Sequence, residues 1–240
     1  MITLTRAKDR YFQSLETMQV YSLFSFSNYY DPENLCFGDI FVFKDFLTNP
    51  GHGFGMHPHE DFEIILIQLQ GEMLYQDSLG SEILSPAGMV HRISAGTGQA
   101  HKISNASDEI SRYVSIWMRP KIEGLAPSHA SRQFDPRCWE DKLFTLVSDT
   151  PSPLLDERSN CLAFNGRGTI GRCELGDGTA LEIPLPEDGI SLLYVLDGAL
   201  LLNEEAMGAG DHARISAEHG IQVQGRPGAD FLLISTPERA

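Results

Sequence analysis

Two segments of the chain repeat the same order of strand, glycine and strand, and this repeat limits the fold more than any other feature of the sequence. Leu66–Leu74 reads LIQLQGEML and Leu193–Leu201 reads LYVLDGALL, and a later motif, Arg92–Ala95 (RISA), recurs as Arg214–Ala217. Short apolar runs separated by Gly, Pro, Asp and Ser are typical of strands and turns. The sequence therefore predicts an all-β protein built from two copies of one antiparallel unit.

Two histidines one residue apart stand just before the first repeated segment. In an extended chain alternate side chains share a face, so His57, His59, Asp61 and Glu63 are expected to point the same way. Burying such groups without partners costs roughly 2–7 kcal/mol each. The pattern therefore indicates either a solvent-exposed sheet edge or a face that binds a metal ion.

The second copy lacks these histidines, which favours the metal site. Aligned without gaps, His57–Asp61 falls on Pro184–Asp188. The first copy has five extra residues near Asp77–Gly80, and in the register that follows them His101 falls on Val223. Three histidines are thus replaced together while the glycines and apolar residues of the repeat remain. Their joint loss indicates a shared role in the first copy.

The charge of the chain limits its partners. The 240 residues carry a formal net charge of -15 and are 42% hydrophobic. A negative protein repels phosphate backbones and anionic membrane surfaces, so we expect no direct binding to nucleic acid or membrane. The sequence has no apolar stretch that could span a bilayer and no apolar core of a secretory signal, which predicts a cytoplasmic location.

The remaining features concern organisation rather than chemistry. We expect an N-terminal domain over residues 1–120, a linker over 121–142 and a C-terminal domain over 143–240. His129 in the linker is expected to be exposed, as are His212 and His219. The cysteines have no C-x-x-C spacing and are expected to be reduced and largely buried; they are Cys36, Cys138, Cys161 and Cys173.

The first half of the chain contains a series of motifs in a fixed order: Phe24–Pro32 (FSFSNYYDP), Gly53–His59 (GFGMHPH), Tyr75–Gly80 (YQDSLG), Ser94–Gly98 (SAGTG) and His101. In order and spacing they resemble those of the pirin family, whose members are bicupins. The resemblance is dense over about residues 20–105 and weaker through the second repeat. The resemblance implies two antiparallel β-barrels of the jelly-roll type, packed together, with a mononuclear metal in the N-terminal barrel.

The resemblance also implies the metal ligands. His57, His59 and His101 occupy the positions of the three family histidines, but Ile103 stands where the family has a ligating glutamate. Glu63 is the candidate substitute, both as fourth ligand and as catalytic base; the alternative is a carboxylate that orients an imidazole. Iron(II) is the expected metal, and nickel, manganese, copper or zinc would tolerate the same ligands.

One further histidine lies near the predicted site. His91 follows the turn Pro86–Gly88 and aligns with Ala213 of the second copy. We expect His91 to lie on the surface of a strand. The alternatives are that it lines the cavity or serves as a spare metal ligand.

Three functions are compatible with the motifs. Some pirin-like proteins are quercetin 2,3-dioxygenases, which open a flavonol ring with oxygen and release carbon monoxide; the resemblance implies the same reaction on a small aromatic substrate. The alternative is a metal- or redox-responsive regulator that acts through a protein partner. A third is a degenerate barrel that has lost its metal and binds an apolar ligand.

Overall fold

A computed structural model describes residues 1–149 and 161–238, and nearly all of its regular structure is strand. Short 3-10 turns lie at Ala7–Asp9 and Pro136–Cys138. In chain order the strands are β1 (Ile2–Thr5), β2 (Tyr11–Ser14), β3 (Met18–Ser22), β4 (Ile40–Thr48), β5 (Gly53–His59), β6 (Glu63–Gln70), β7 (Glu72–Asp77), β8 (Glu82–Pro86), β9 (Met89–Ser94), β10 (Gln99–Asn105), β11 (Ser111–Met118), β12 (Ser128–Gln133), β13 (Phe144–Ser148), β14 (Leu162–Ala163), β15 (Thr169–Leu175), β16 (Ala180–Pro184), β17 (Gly189–Asp197), β18 (Ala199–Leu202), β19 (Glu205–Gly208), β20 (His212–Ser216), β21 (Gly220–Gly225) and β22 (Ala229–Pro237).

The N-terminal unit comprises residues 11–134 and 164–166. Its strands form a seven-stranded sheet, in the order β12-β9-β6-β11-β4-β3-β2, and a four-stranded sheet, in the order β5-β10-β7-β8. Central strand β6 contains the apolar run Ile64–Ile67, which is buried on both faces. A continuous apolar run of this kind is expected where both faces of a strand are covered.

The C-terminal unit comprises the described residues of 1–10, 135–163 and 167–240, and it repeats the same topology. Its sheets have the orders β1-β20-β17-β22-β15-β13-β14 and β16-β21-β18-β19. Apart from the parallel β13–β14 pair, neighbouring strands in both units are antiparallel. The predicted all-β bicupin fold is therefore confirmed, with each predicted barrel built from two separately hydrogen-bonded sheets.

The unit boundaries differ from the predicted ones at both ends of the first copy. Strand β1 pairs with β20 through Ile2 and Ile215, so the first ten residues belong to the C-terminal unit. Strand β12, inside the predicted linker, pairs with β9 and belongs to the N-terminal unit. Both differences arise because an edge position of a sheet is filled by a strand that is distant in sequence.

Other expectations concern single residues. His212 lies buried in β20, so the prediction of an exposed side chain is wrong, whereas His219 is exposed as predicted. The four cysteines form no disulfide with one another. Cys173 is buried, but Cys36 is exposed and Cys138 and Cys161 are partly exposed, so the expectation of largely buried cysteines is wrong. Within the described ranges, no helix has the length and hydropathy needed to cross a membrane.

The turn glycine of the second copy, Gly198, lies close to the backbone of another turn. Gly198 has φ +64°, and a Cβ there would lie 2.2 Å from the carbonyl carbon and oxygen of Gly228. Gly178 has φ +78° with no atom within 4 Å of such a Cβ. A left-handed alanine alone costs about 1–2 kcal/mol, so we expect Gly178→Ala to lose that amount and Gly198→Ala to lose about 2 kcal/mol more because of the backbone contact. Denaturant unfolding measures both; equal losses would contradict the close approach.

Candidate metal centre

Three histidines from two paired strands meet on one face of the four-stranded sheet. His57 on β5 lies directly opposite His101 on β10, and His59 lies opposite Gln99. The ring centroids are 4.7 Å apart for His57–His59 and His57–His101, and 4.5 Å apart for His59–His101. One nitrogen of each ring lies within 4.8 Å of the others. The structure thus brings together the three histidines named from the sequence.

The hydrogen bonds of these rings leave nitrogens free for a metal. Nδ1 of His57 lies 2.7 Å from the carbonyl oxygen of Gly55. A carbonyl only accepts, so Nδ1 carries the proton and Nε2 keeps its lone pair. Nε2 of His59 and Nδ1 of His101 are buried and have no hydrogen-bond partner among the described residues. Buried polar atoms are normally paired, so this donor set fits a metal ion.

The rings are also in the protonation state that a metal requires. Burial, followed by the charge of His57, lowers the pKa of His59 to about 4. Burial, followed by the charges of His59 and His57, lowers the pKa of His101 to about 3. Both imidazoles are therefore neutral at pH 7, and neutral imidazole is the form that binds metals.

Glu63 does not belong to the group of described residues whose ligand atoms lie within 4.8 Å of one another. Strand β5 ends at His59, and β6 begins at Glu63 after a turn in which Asp61 has φ +46°. The expectation of one continuous strand face from His57 to Glu63 is therefore wrong. The Glu63 carboxylate accepts hydrogen bonds from Ser94 Oγ (2.9 Å) and from the Asn165 backbone N–H (3.1 Å).

Burial raises the pKa of Glu63, and its hydrogen bonds and the nearby Arg92 oppose the rise. Asp61 lies in the turn before Glu63. Its carboxylate accepts a hydrogen bond from the backbone N–H of Gly124 (2.7 Å). The role of Glu63 as metal ligand and base stays a prediction.

A small aromatic cavity adjoins the histidines. It has a volume of about 170 Å³, and His57, His101 and Ile103 contribute to its wall. Ile103 is buried and shares this wall with His101, which agrees with the expected period of two along β10. Trp117, also in the wall, packs its ring against His59 at 4.6 Å and 88°. The position of the expected family glutamate is thus an apolar part of the cavity.

The strand pairing of the C-terminal unit shows what replaces the histidines there. Val223 lies opposite Leu181, as His101 lies opposite His57. Leu181 and Ile183 therefore occupy the positions of His57 and His59, and the ungapped alignment with Pro184 and Pro186 was wrong by three residues. The reason is a longer connection in the second copy: from His59 to Glu63 is four positions, whereas from Ile183 to Ile190, the equivalent of Glu63, is seven.

Comparisons with known proteins agree with this architecture. A sequence profile of the pirin family matches residues 5–118. The quercetin 2,3-dioxygenase of Escherichia coli K12 is 38% identical over 238 residues, which is 99% of each chain. A pirin-like protein of Caulobacter vibrioides is 32% identical over 211 residues, covering 88% of this chain and 89% of the relative.

The chain belongs to the pirin family. Among solved structures, the bacterial pirin YhhW of Escherichia coli in complex with nickel(II) superposes with a TM-score of 0.90 at 28% identity, covering 100% of both chains. A nickel-bound pirin of the same fold is consistent with a divalent metal at a pirin histidine cluster.

This pirin also contains a buried histidine pair that sequence reasoning missed. His91 Nδ1 lies 3.0 Å from His129 Nε2, and His91 Nε2 lies 2.7 Å from Ser85 Oγ. His91 is fully buried, and only 6% of the His129 side chain is exposed, so both predictions of surface histidines are wrong. Strand β12 pairs with β9 beside His91. No sequence motif marks this pairing, so the burial of His91 was not visible in the sequence.

The buried pair predicts acid sensitivity. Burial, followed by the charge of His129, lowers the pKa of His91 to about 3, whereas an unfolded histidine titrates near 6.5. Between these two pH values the unfolded chain binds more protons at His91 than the folded chain does. The contribution of His91 to stability is therefore complete above pH 6.5 and is lost as the pH falls toward 3. Between pH 6 and 4 the free energy of unfolding should fall less steeply in His91→Gln than in the wild type. The two slopes should differ by up to about 1.4 kcal/mol per pH unit.

Urea titrations at several pH values, with chelator present, measure this slope. His219→Gln is the matched control because that side chain is exposed. An unchanged slope for His91→Gln would show that His91 is not buried in its neutral form.

Proposed function

We propose that this chain is a mononuclear-metal dioxygenase that acts on flavonol-like aromatic substrates. The observation that carries the proposal is the junction of three imidazoles with an aromatic cavity: His57 and His101 belong both to the cluster and to the cavity wall. The names of relatives, including the quercetin 2,3-dioxygenase of Escherichia coli, support it.

Iron(II) is the metal we propose. His57, His59 and His101 would hold it, and three imidazoles leave coordination positions open on an octahedral ion. A bound iron would supply Lewis-acid and redox chemistry at those positions. Nickel remains an alternative because a pirin of the same fold is known in complex with nickel(II).

The protein's own contribution is to enclose and orient an aromatic ring. Phe26 packs edge-on against Trp117 with centroids 4.9 Å apart, and Phe46 stacks on Tyr113 at 4.8 Å. All four side chains belong to the cavity wall. A cavity of this size encloses one ring of a flavonol, and the half-exposed Phe26 marks where the remaining rings would extend. Such walls exclude water and fix the plane of the ring.

Metal content and oxygen uptake test this function together. We expect about one iron per chain as purified, measured by plasma mass spectrometry, and flavonol-dependent oxygen consumption with an electrode. The variant His57→Ala/His101→Ala should lose both, because two of three ligands are gone. His219→Ala, which changes an exposed histidine outside the cluster, should keep both.

Other outcomes separate the alternatives. Retained metal without any turnover would contradict the dioxygenase and favour a metal-responsive regulator. A chain that takes up no metal after reconstitution would contradict the metal centre and favour a degenerate site in which Ile103 replaces the missing ligand.

Glu63 is proposed as the fourth ligand and the base that takes a substrate proton, and this role has a structural requirement. Its carboxylate would have to exchange at least one of its contacts with Ser94 and Asn165 for the metal. The proposal predicts that Glu63→Gln lowers iron content and turnover, since an amide is a weaker ligand and does not accept the proton. Iron content and turnover equal to the wild type would show that Glu63 is neither ligand nor base.

A further inference from the structure

The cavity beside the histidines has an unusual charge for this protein. The chain carries a net charge of -15, yet no aspartate or glutamate lies among the cavity-wall residues of the described chain. The wall instead contains one lysine, Lys44 of β4. Its ammonium group makes the cavity locally positive inside a negative protein, and a bound divalent metal would add to that charge.

Lys44 has no anionic partner among the residues that the structure describes. Its Nζ lies 4.8 Å above the centroid of the Phe26 ring, and no carboxylate in the described ranges makes an ion pair with it. The adjacent carboxylate of Asp45 is taken by Arg112, at 2.8 Å, on the opposite face of β4. A half-buried ammonium group without a counter-charge is costly, and a ligand that supplies the charge relieves that cost.

The direction of the pKa shift of Lys44 agrees with the lack of an anionic partner among the described residues. Burial lowers the pKa of Lys44, and no nearby negative charge opposes the shift. A negative oxygen of a ligand beside the ammonium group would reverse the direction of this effect.

The volume of the cavity limits the ligand that can lie inside it. A cavity of about 170 Å³ is close to the roughly 150 Å³ apolar cavity that is known to hold a benzene molecule. Aromatic rings on several sides of the cavity suit a planar ring. The space near Lys44 therefore accepts a single six-membered ring with a small substituent.

We propose that Lys44 is a substrate-binding residue that selects monocyclic aromatic anions, or the anionic ring of a larger substrate, by pairing with an ionised oxygen such as a carboxylate. The proposal rests on the proposed function in taking this cavity as the substrate site. It adds the charge of the substrate and the residue that recognises it. Ring packing supplies affinity, and the charge-assisted hydrogen bond to the Lys44 ammonium supplies selectivity.

Benzoate and benzamide form a matched pair of probes, since they share shape and ring and differ in charge. Titration calorimetry or NMR titration on the full chain as purified should show benzoate binding about tenfold more tightly, which corresponds to 1.4 kcal/mol. Lys44→Met should bring the ratio close to one, and Lys44→Arg should keep most of it. Lys142→Met, which removes an exposed lysine outside the cavity wall, should leave the ratio unchanged.

Equal affinity of the wild type for the two probes would overturn the proposal, as would a preference for benzoate that survives in Lys44→Met. The titrations are repeated with chelator present. A preference that disappears on chelation would assign anion binding to the metal and would also overturn it. Because binding is measured without oxygen, an absence of flavonol turnover would contradict the proposed function alone.

Discussion

The packing of three imidazoles against one another, two of them buried, is the constraint on which the N-terminal unit depends. Two of their ring nitrogens, on His59 and His101, have no hydrogen-bond partner among the described residues, and burial keeps both rings neutral. An apolar protein interior does not compensate such atoms. A metal ion does, because it accepts lone pairs from neutral imidazoles and its binding free energy adds to that of folding. The arrangement is therefore best explained as a preformed set of ligands.

The C-terminal unit shows the same frame without this constraint. Leu181, Ile183 and Val223 stand at the positions of the three histidines, and Ile190 stands at the position of Glu63. Ile183 and Val223 belong to an apolar core, Leu181 packs against it, and Ile190 is buried. One topology thus carries a polar centre in one copy and hydrophobic packing in the other, so the fold itself does not require the histidines.

Much of this architecture was predictable from the sequence, because strand periodicity and repeated glycines are local signals. The histidine trio was equally visible, through its loss in the second copy. The relation of Glu63 to that trio was not, because the turn at Asp61, with φ +46°, interrupts the alternation that the prediction assumed. The burial of His91 was also hidden. It depends on β12, which pairs with β9 from the region that the sequence indicated as a linker. Contacts between distant strands leave no local pattern.

The proposed site for a metal and an anionic ring combines three imidazoles, an aromatic cavity and the ammonium group of Lys44. Its central requirement is that the three histidines coordinate the metal together. X-ray absorption spectroscopy of the iron- or nickel-loaded protein tests this most directly, since imidazole ligands give a characteristic scattering pattern. We predict three imidazoles bound to one ion. A spectrum with one imidazole or none, and oxygen ligands in their place, would contradict the claim.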